Sequence, residues 1–233
     1  MNIPRIAAAA ILLAGAASAA DVREETRNVS GFDTVSLAVP IDLEIAQGDA
    51  EGLTLQGDAA TLAKIEAVVE DGTLRIRTPS HVSASSFGKV TGRVSLKSVK
   101  GLTITGAGKM HSAALRSKKL HLAITGAGDI DVGRLDADDV DLSVTGSGNV
   151  RLAGKVDRAS TSILGAGDLK APRLEAREAH VSISGAGDVT LWARERIEVS
   201  IAGAGDVRYY GDPAVNRSVW GAGSVKRLGA APG

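Results

Sequence analysis

The segment LAITGAGDI, residues 122–130, is one of seven related segments that lie between Gly101 and Val225. Each contains Gly-x-Gly, and the first glycines are 20, 20, 19, 20, 18 and 18 residues apart. These glycines are Gly106, Gly126, Gly146, Gly165, Gly185, Gly203 and Gly221. Repetition at a nearly constant period of this length is typical of a solenoid, in which neighbouring repeats share one core. The sequence therefore predicts an all-β fold: a single-stranded, right-handed parallel β-helix of about seven Gly-x-Gly rungs.

Apolar residues occupy fixed positions around each glycine pair. Two residues before the first glycine stand Ile104, Ile124, Val144, Ile163, Ile183, Ile201 and Val219. Two residues after the second glycine stand Met110, Ile130, Val150, Leu169, Val189, Val207 and Val225. Because strand side chains alternate between faces, these positions should point inward on both sides of a corner. Glycine at the corner permits a positive φ and close backbone approach, so the pairs need no ligand to explain them.

The stretch before the repeat alternates in the manner of strands but lacks Gly-x-Gly. Between two such strands, Ala59 to Glu70 places Leu62, Ile65 and Val69 at helical spacing after a possible N-cap, Asp58. This spacing predicts one short helix. The serine-rich segment 81–89 is predicted to be a loop. We therefore divide the chain into a signal peptide (1–19), an N-terminal β-rich cap region with a short helix (20–100), and the repeat β-helix with a C-terminal cap (101–233).

The first nineteen residues are typical of a signal peptide. Arg5 precedes a short apolar run, and Ala17-Ser18-Ala19 has the small-x-small form of a cleavage site. We expect export to the periplasm, the cell surface or the medium, with no transmembrane segment after signal removal. The chain has no cysteine, which excludes disulfides and a thiol-linked lipid anchor. Its 27 basic and 27 acidic residues balance, which argues against nucleic acid as a partner.

The outward positions give the candidate binding surface. Serine and threonine dominate the residues one and three places before each glycine pair, and the tryptophans and tyrosines fall in the last three rungs. The candidate residues are Trp192, Tyr210, Trp220, Ser182, Ser184 and Ser200. Such a face is either a solvated β surface or a repetitive site for a glycan, a surface protein or another copy of the chain. The aromatic residues either bind a ligand or cover the end of the core.

A column of acidic residues follows the second glycines: Asp129, Asn149, Asp168, Asp188 and Asp206, between Lys109 and Ser224. Stacked carboxylates either cap turns by accepting backbone hydrogen bonds or gather a cation. Catalysis needs a distinct pair of groups, whereas these acids recur in one setting. His121 and His180 share a rung position but are three rungs apart, and His81 and His111 have no evident partner. We predict no catalytic, cofactor or metal site.

The last rung carries charge at two positions that are apolar in most other rungs. These are Arg217 and Arg227. Positive charge at an open sheet edge opposes strand addition, so we predict that they cap the C-terminal end.

Several segments together resemble one known family. They are Gly31-Phe32-Asp33, Ile41 to Asp49, Leu53 to Asp58, Asp71 to Leu74, and the later Gly-Ala-Gly-Asp series. From about residue 30 to 227 the chain resembles the putative auto-transporter adhesin, head GIN domain family. The resemblance implies an exported β-helical domain without agreed catalytic residues. The predicted function is an exported adhesin-like binding or structural module of the cell envelope; the alternative is a polysaccharide-active lyase or hydrolase on the same scaffold.

Overall fold

The structure is a computed structural model that describes residues 22–79 and 88–231. Its strands before the repeat are β1 (Val22–Arg27), β2 (Thr34–Leu37), β3 (Asp42–Gln47), β4 (Gly52–Asp58), β5 (Glu66–Glu70), β6 (Thr73–Arg77) and β7 (Thr91–Leu96). Those of the repeat are β8 (Gly101–Gly106), β9 (Lys109–Ser112), β10 (Leu115–Gly126), β11 (Asp129–Gly146), β12 (Asn149–Gly165), β13 (Asp168–Gly185), β14 (Val189–Gly203), β15 (Asp206–Tyr210), β16 (Ala214–Gly221) and β17 (Ser224–Gly229). One helix, α1 (Ala59–Leu62), lies between β4 and β5.

The repeat forms the predicted β-solenoid, with about six turns. Each rung pairs in parallel with the next: Ile124 lies opposite Val144, and Val144 lies opposite Ile163. A rung has three sides. We call the segments that end at the first glycine of each pair the serine face, and those that begin after the second glycine the aspartate face. The third side contains the predicted weak strands at 135–137 and 174–176, which pair through residues 154–156.

A narrow aliphatic core fills the solenoid. The residues two places before the glycine pair are almost fully buried through six rungs; Ile104, Ile163 and Ile201 are exposed by 1% or less. Each occupies the position that alternation predicts, stacked on its counterpart in the next rung. Removing such a side chain from water contributes about 1.5–3 kcal/mol, so the column of aliphatic residues is a main source of stability.

The Gly-x-Gly corners need glycine at both positions. Gly126 has φ +122°, and a Cβ placed there would lie 2.6 Å from the carbonyl oxygen of Gly106 in the preceding rung. A Cβ at Gly128 would lie 2.6 Å from Cγ2 of Ile104. The first glycine therefore provides a left-handed backbone and the second provides room for the core.

The length of a rung varies at a different corner. Between the aspartate face and the third side, the pairing skips residues: Ala171 is opposite Leu191, yet Glu175 is opposite Trp192. The 18-residue rungs are short because they lack the residues that β13 places in this bulge. The glycine corners stay aligned.

The N-terminal part continues the solenoid in an order that differs from the chain order. β2 pairs in parallel with β8, and β3 pairs with β9, so Leu37 lies opposite Ile104 and Leu43 opposite Met110. β6 and β7 pair with the other edges of β2 and β3. The antiparallel strands β1, β4 and β5 then cover this end. The predicted division at residue 100 is a change in sequence pattern, and the sheet runs across it.

The predicted helix is present but shorter than its apolar spacing suggests. Asp58 is the N-cap, as predicted, and its Oδ1 accepts a hydrogen bond of 2.8 Å from the backbone N–H of Thr61. After Leu62 the chain turns, and Glu66–Glu70 is strand β5, which forms a hairpin with β6. The hairpin turn is Asp71-Gly72, both with positive φ. Cross-strand pairing of two adjacent valines thus outweighs the helical spacing. Most of the predicted loop 81–89 lies outside the described residues.

The two ends of the solenoid differ. At the C-terminal end, β16 pairs only with β14 and β17 only with β15, and no described segment lies over them. Val215 and Val219 face the core direction but are 43% and 38% exposed. Arg217 and Arg227 lie opposite the inward residues Val199 and Tyr209, as the repeat predicts. Arg227 Nε donates a hydrogen bond of 2.6 Å to the carbonyl oxygen of Gly211.

Among the residues described, none forms a helix of the length and apolar character that crossing a bilayer would require.

Candidate binding surfaces

The serine face ends in a strip without a charged residue. Its first two rows are paired between successive rungs: Thr103, Ala123, Ser143, Ser162, Ser182, Ser200 and Ser218, and Thr105, Thr125, Thr145, Leu164, Ser184, Ala202 and Trp220. The middle residues of the corners form the third row: Ala107, Ala127, Ser147, Ala166, Ala186, Ala204 and Ala222. We call these 21 residues the uncharged strip. At about 4.8 Å per rung it is roughly 29 Å long.

The uncharged strip is open to solvent. Every residue of its second and third rows is exposed. Two large apolar side chains project from it: Leu164 is 57% exposed and Trp220 is 77% exposed. The indole N–H of Trp220 donates a hydrogen bond of 3.2 Å to Oγ of Ser218, which fixes the ring beside the serine row. The strip thus combines hydroxyl groups with an exposed aromatic ring.

The structure separates the predicted site residues into two groups. Ser182, Ser184, Ser200 and Trp220 all belong to the uncharged strip, where Ser182 lies opposite Ser200. Sequence analysis did not select Leu164 or the corner alanines, which share the strip. Their outward position was the available signal, because the middle residue of a tight glycine corner has nowhere else to point.

The second group is the pair Trp192 and Tyr210. They lie opposite each other on neighbouring rungs, as predicted, but on the strand that follows the glycine corner. Both are half-buried. The neighbouring residue Tyr209 points inward and is 8% exposed. These aromatic residues therefore lie on another face from Trp220, where Tyr209 contributes to closing the core.

The column of acidic residues on the aspartate face is held by hydrogen bonds between rungs. Oδ1 of Asp168 accepts a bond of 3.2 Å from the backbone N–H of Asp188, and Oδ1 of Asp188 accepts one of 3.1 Å from that of Asp206. Nδ2 of Asn149 donates to Oδ1 of Asp129 at 3.0 Å. Each acid side chain thus bonds the adjacent rung, whereas sequence analysis considered capping within one turn.

Basic side chains compensate the remaining charge of this column. Arg208 reaches Oδ2 of both Asp188 (3.1 Å) and Asp206 (2.9 Å), and Lys109 Nζ lies 3.7 Å from Oδ2 of Asp129. Hydrogen bonds from Ser224 hold the pKa of Asp206 below its usual value. In residues 22–79 and 88–231, no three His, Asp or Glu side chains are grouped so that they could hold a metal ion. The geometry of the column is that of a structural ladder.

The histidines do not form a joint site. His121 and His180 occupy the same position three rungs apart. His111 lies opposite Glu44 of β3, and Nδ1 of His180 lies 3.6 Å from Oε2 of Glu198. His81 lies outside the described residues.

Solved structures share this fold over nearly their whole length. A protein from Bacteroides fragilis described as a putative adhesin has a TM-score of 0.84 and 24% identity, covering 89% of this chain and 97% of its own. A putative lipid binding protein from Parabacteroides distasonis has a TM-score of 0.74 and 23% identity, covering 89% and 96%. A putative adhesin from Parabacteroides merdae has a TM-score of 0.71 and 20% identity, also covering 89% and 96%.

These identities are below 25% and establish the shared fold. A search of curated proteins finds no match. Residues 31–213 match a family described as putative auto-transporter adhesin, head GIN domain, as the sequence motifs predicted. The match spans most of the chain and includes all but the last rung. The chain therefore belongs to the putative auto-transporter adhesin, head GIN domain family.

Proposed function

We propose that this protein is an exported, adhesin-like module of the cell envelope that binds a neutral glycan along the uncharged strip without cleaving it. The observation that carries the proposal is the absence of charge from 21 aligned outward positions in a chain with 54 charged residues. A solvated surface needs no such exclusion. A neutral ligand favours it, because each charge in the contact would have to lose its water.

The chemistry of the strip fits a sugar polymer. Serine and threonine hydroxyls donate and accept hydrogen bonds, as sugar hydroxyls do. Trp220 presents an exposed apolar ring on which the carbon face of a sugar can pack. Because the rows repeat at each rung, an extended polymer that lies along the solenoid meets the same groups several times. Repeated weak contacts raise avidity, which suits adhesion.

The relatives support surface binding over catalysis. The family and two of the fold relatives are described as adhesins. Support for a lyase or hydrolase is lacking in these comparisons. The acidic side chains closest together on the aspartate face are engaged in hydrogen bonds between rungs and in ion pairs.

The test is titration calorimetry of the mature protein with neutral oligosaccharides built from glucose, mannose and N-acetylglucosamine. We expect binding that weakens about tenfold in Trp220→Ala and is lost in the double variant Ser184→Arg/Ala202→Arg, which places charge in the strip. Thr190→Arg, on the aspartate face, is the matched control and should bind as the wild type does.

Three results would contradict the proposal: no binding by any sugar, equal binding by the double variant, or cleavage products from the same panel. Self-association that only the double variant abolishes would assign the strip to a second copy of the chain and would also refute it.

A further inference from the structure

A second surface lies at the opposite end of the solenoid from Trp220. Two adjoining cavities, of about 780 and 480 Å³, share Gln47, Arg116 and Asp136. They follow the third side and its corner with the serine face, between residues 97–100, 116–119 and 134–138. We call this surface the basic groove, after the basic residues that line it: Lys97, Lys100, Arg116, Lys118, Lys119 and Arg134.

Positive charge is in excess in the basic groove. Its six basic residues face three acidic ones, Asp49, Asp136 and Asp138, although the whole chain is neutral. Farther along the same corner the charges are matched: Arg158 pairs with Asp139, and Arg194 pairs with Glu175. The excess is therefore local.

Half of these cations are already paired. Arg116 pairs with Asp136 at 3.0 Å, Lys119 with Asp141 at 3.2 Å, and Lys100 with Asp33. Lys97, Lys118 and Arg134 make no ion pair with any residue that the structure describes. Three exposed cations thus remain available to a ligand on one surface.

The backbone of the basic groove is fixed by side chains from other segments. Gln47 Nε2 donates to the carbonyl oxygens of Lys97 (3.3 Å) and Arg116 (3.0 Å), while its Oε1 accepts from the N–H of Arg116 at 2.7 Å. Ser117 Oγ lies 2.7 Å from the carbonyl oxygen of Val99. The segments that carry the lysines are therefore held before a ligand arrives, which lowers the entropic cost of binding.

We propose that the basic groove binds an anionic saccharide, whose negative charge comes from carboxylate or phosphate groups. The unpaired cations bind the anionic groups. Asp136 and Asp138 accept hydrogen bonds from sugar hydroxyls, a role that bare phosphate would leave unfilled. The lysine stems, Val99 and Ala137 provide carbon for the sugar ring to pack on. A cavity of about 780 Å³ has the size of a site for a small oligosaccharide.

The experiment is calorimetric titration of the full mature chain at low and moderate salt. The probes are trigalacturonic acid, which carries carboxylates, and glucose 1,6-bisphosphate, which carries phosphates. Their comparators are neutral galactotriose, inorganic phosphate and phosphatidylglycerol vesicles. We expect at least one anionic sugar to bind, with an affinity that falls as salt rises, and galactotriose to bind at least about tenfold more weakly here.

Two exposed lysines without ion pairs allow a clean variant. Lys97→Gln/Lys118→Gln should keep the melting temperature and weaken binding about tenfold or more. Lys170→Gln/Lys226→Gln removes the same charge from the aspartate face and should bind as the wild type does. The strip variant Ser184→Arg/Ala202→Arg should also bind normally, so this proposal and the neutral-glycan proposal fail separately.

Any of four results would overturn the inference. They are equal binding by the groove variant and its control, binding of inorganic phosphate as tight as that of the sugars, binding of vesicles without binding of either anionic sugar, and no binding at all. Binding of only one anionic sugar would support it and would identify the source of the charge.

Discussion

Asp206 and Ser224, which lie opposite each other on the last two rungs, are joined by two hydrogen bonds to one carboxylate oxygen. Oδ1 of Asp206 accepts from the backbone N–H of Ser224 at 3.1 Å and from its Oγ at 2.7 Å. The last rung has no following rung to pair with, so this contact ties it to the solenoid. The same bonds lower the pKa of Asp206.

We predict that Ser224→Ala loosens the last rung in a pH-dependent manner. A carboxyl with a lowered folded pKa stabilises the fold above its unfolded pKa of about 3.9, and that contribution is lost as the pH falls through the folded pKa. The variant should therefore melt below the wild type at pH 7, with a difference that shrinks towards pH 2. Ser200→Ala, exposed on the serine face, is the control. An equal difference at both pH values would contradict this role.

We predict that Ile183→Asp abolishes folding. Ile183 is 1% exposed in the middle of the core, so the variant loses about 1.5–3 kcal/mol of apolar burial and must also bury an unpaired charge. Ser184→Asp, one residue later and exposed, is the matched control and should fold. Circular dichroism and melting curves make the comparison, and a folded Ile183→Asp protein would refute the rung assignment.

We predict that Gly126→Ala destabilises the solenoid by about 1–3 kcal/mol or more, because its left-handed backbone is strained for alanine and the new Cβ meets the carbonyl of Gly106. Gly48→Ala has nothing within 4 Å and no positive φ, so it should change stability by less than about 0.5 kcal/mol. Denaturant titrations measure both, and similar values for the two variants would disprove the corner argument.

We predict that Arg217→Leu/Arg227→Leu promotes end-to-end association. The outer edges of β16 and β17 pair with no described strand, and leucine would add apolar surface beside the exposed Val215 and Val219. The double change Arg151→Leu/Lys170→Leu, in the middle of the aspartate face, should leave the protein monomeric. Trp192 and Tyr210 should be dispensable for the association. Light scattering that finds the C-terminal variant monomeric at high concentration would refute the capping role.

We predict that mass spectrometry of the exported protein shows loss of residues 1–19. The signal-peptide pattern is the physical basis, and it lies outside the described residues. An intact N-terminus in the membrane fraction would disprove cleavage.

The sequence alone determined the solenoid, its corners and its core positions. Each rung stacks on an identical neighbour, so one local pattern such as Ile-Thr-Gly-Ala-Gly-Asp-Ile at 124–130 dictates the same geometry every time. The outward serines and Trp220 followed from the same alternation. The charges of Arg217 and Arg227 at core positions were also visible in the repeat.

Only the tertiary structure decided the features that depend on segments far apart in the chain. The stacking of β2 and β3 on β8 and β9 skips more than fifty residues and carries no Gly-x-Gly mark. Strand β5 forms because β6 is available to pair with it, which local helical spacing could not reveal. The basic groove exists because Gln47 joins segments 69 residues apart. Periodicity describes neighbours that repeat, whereas these contacts join segments that do not repeat.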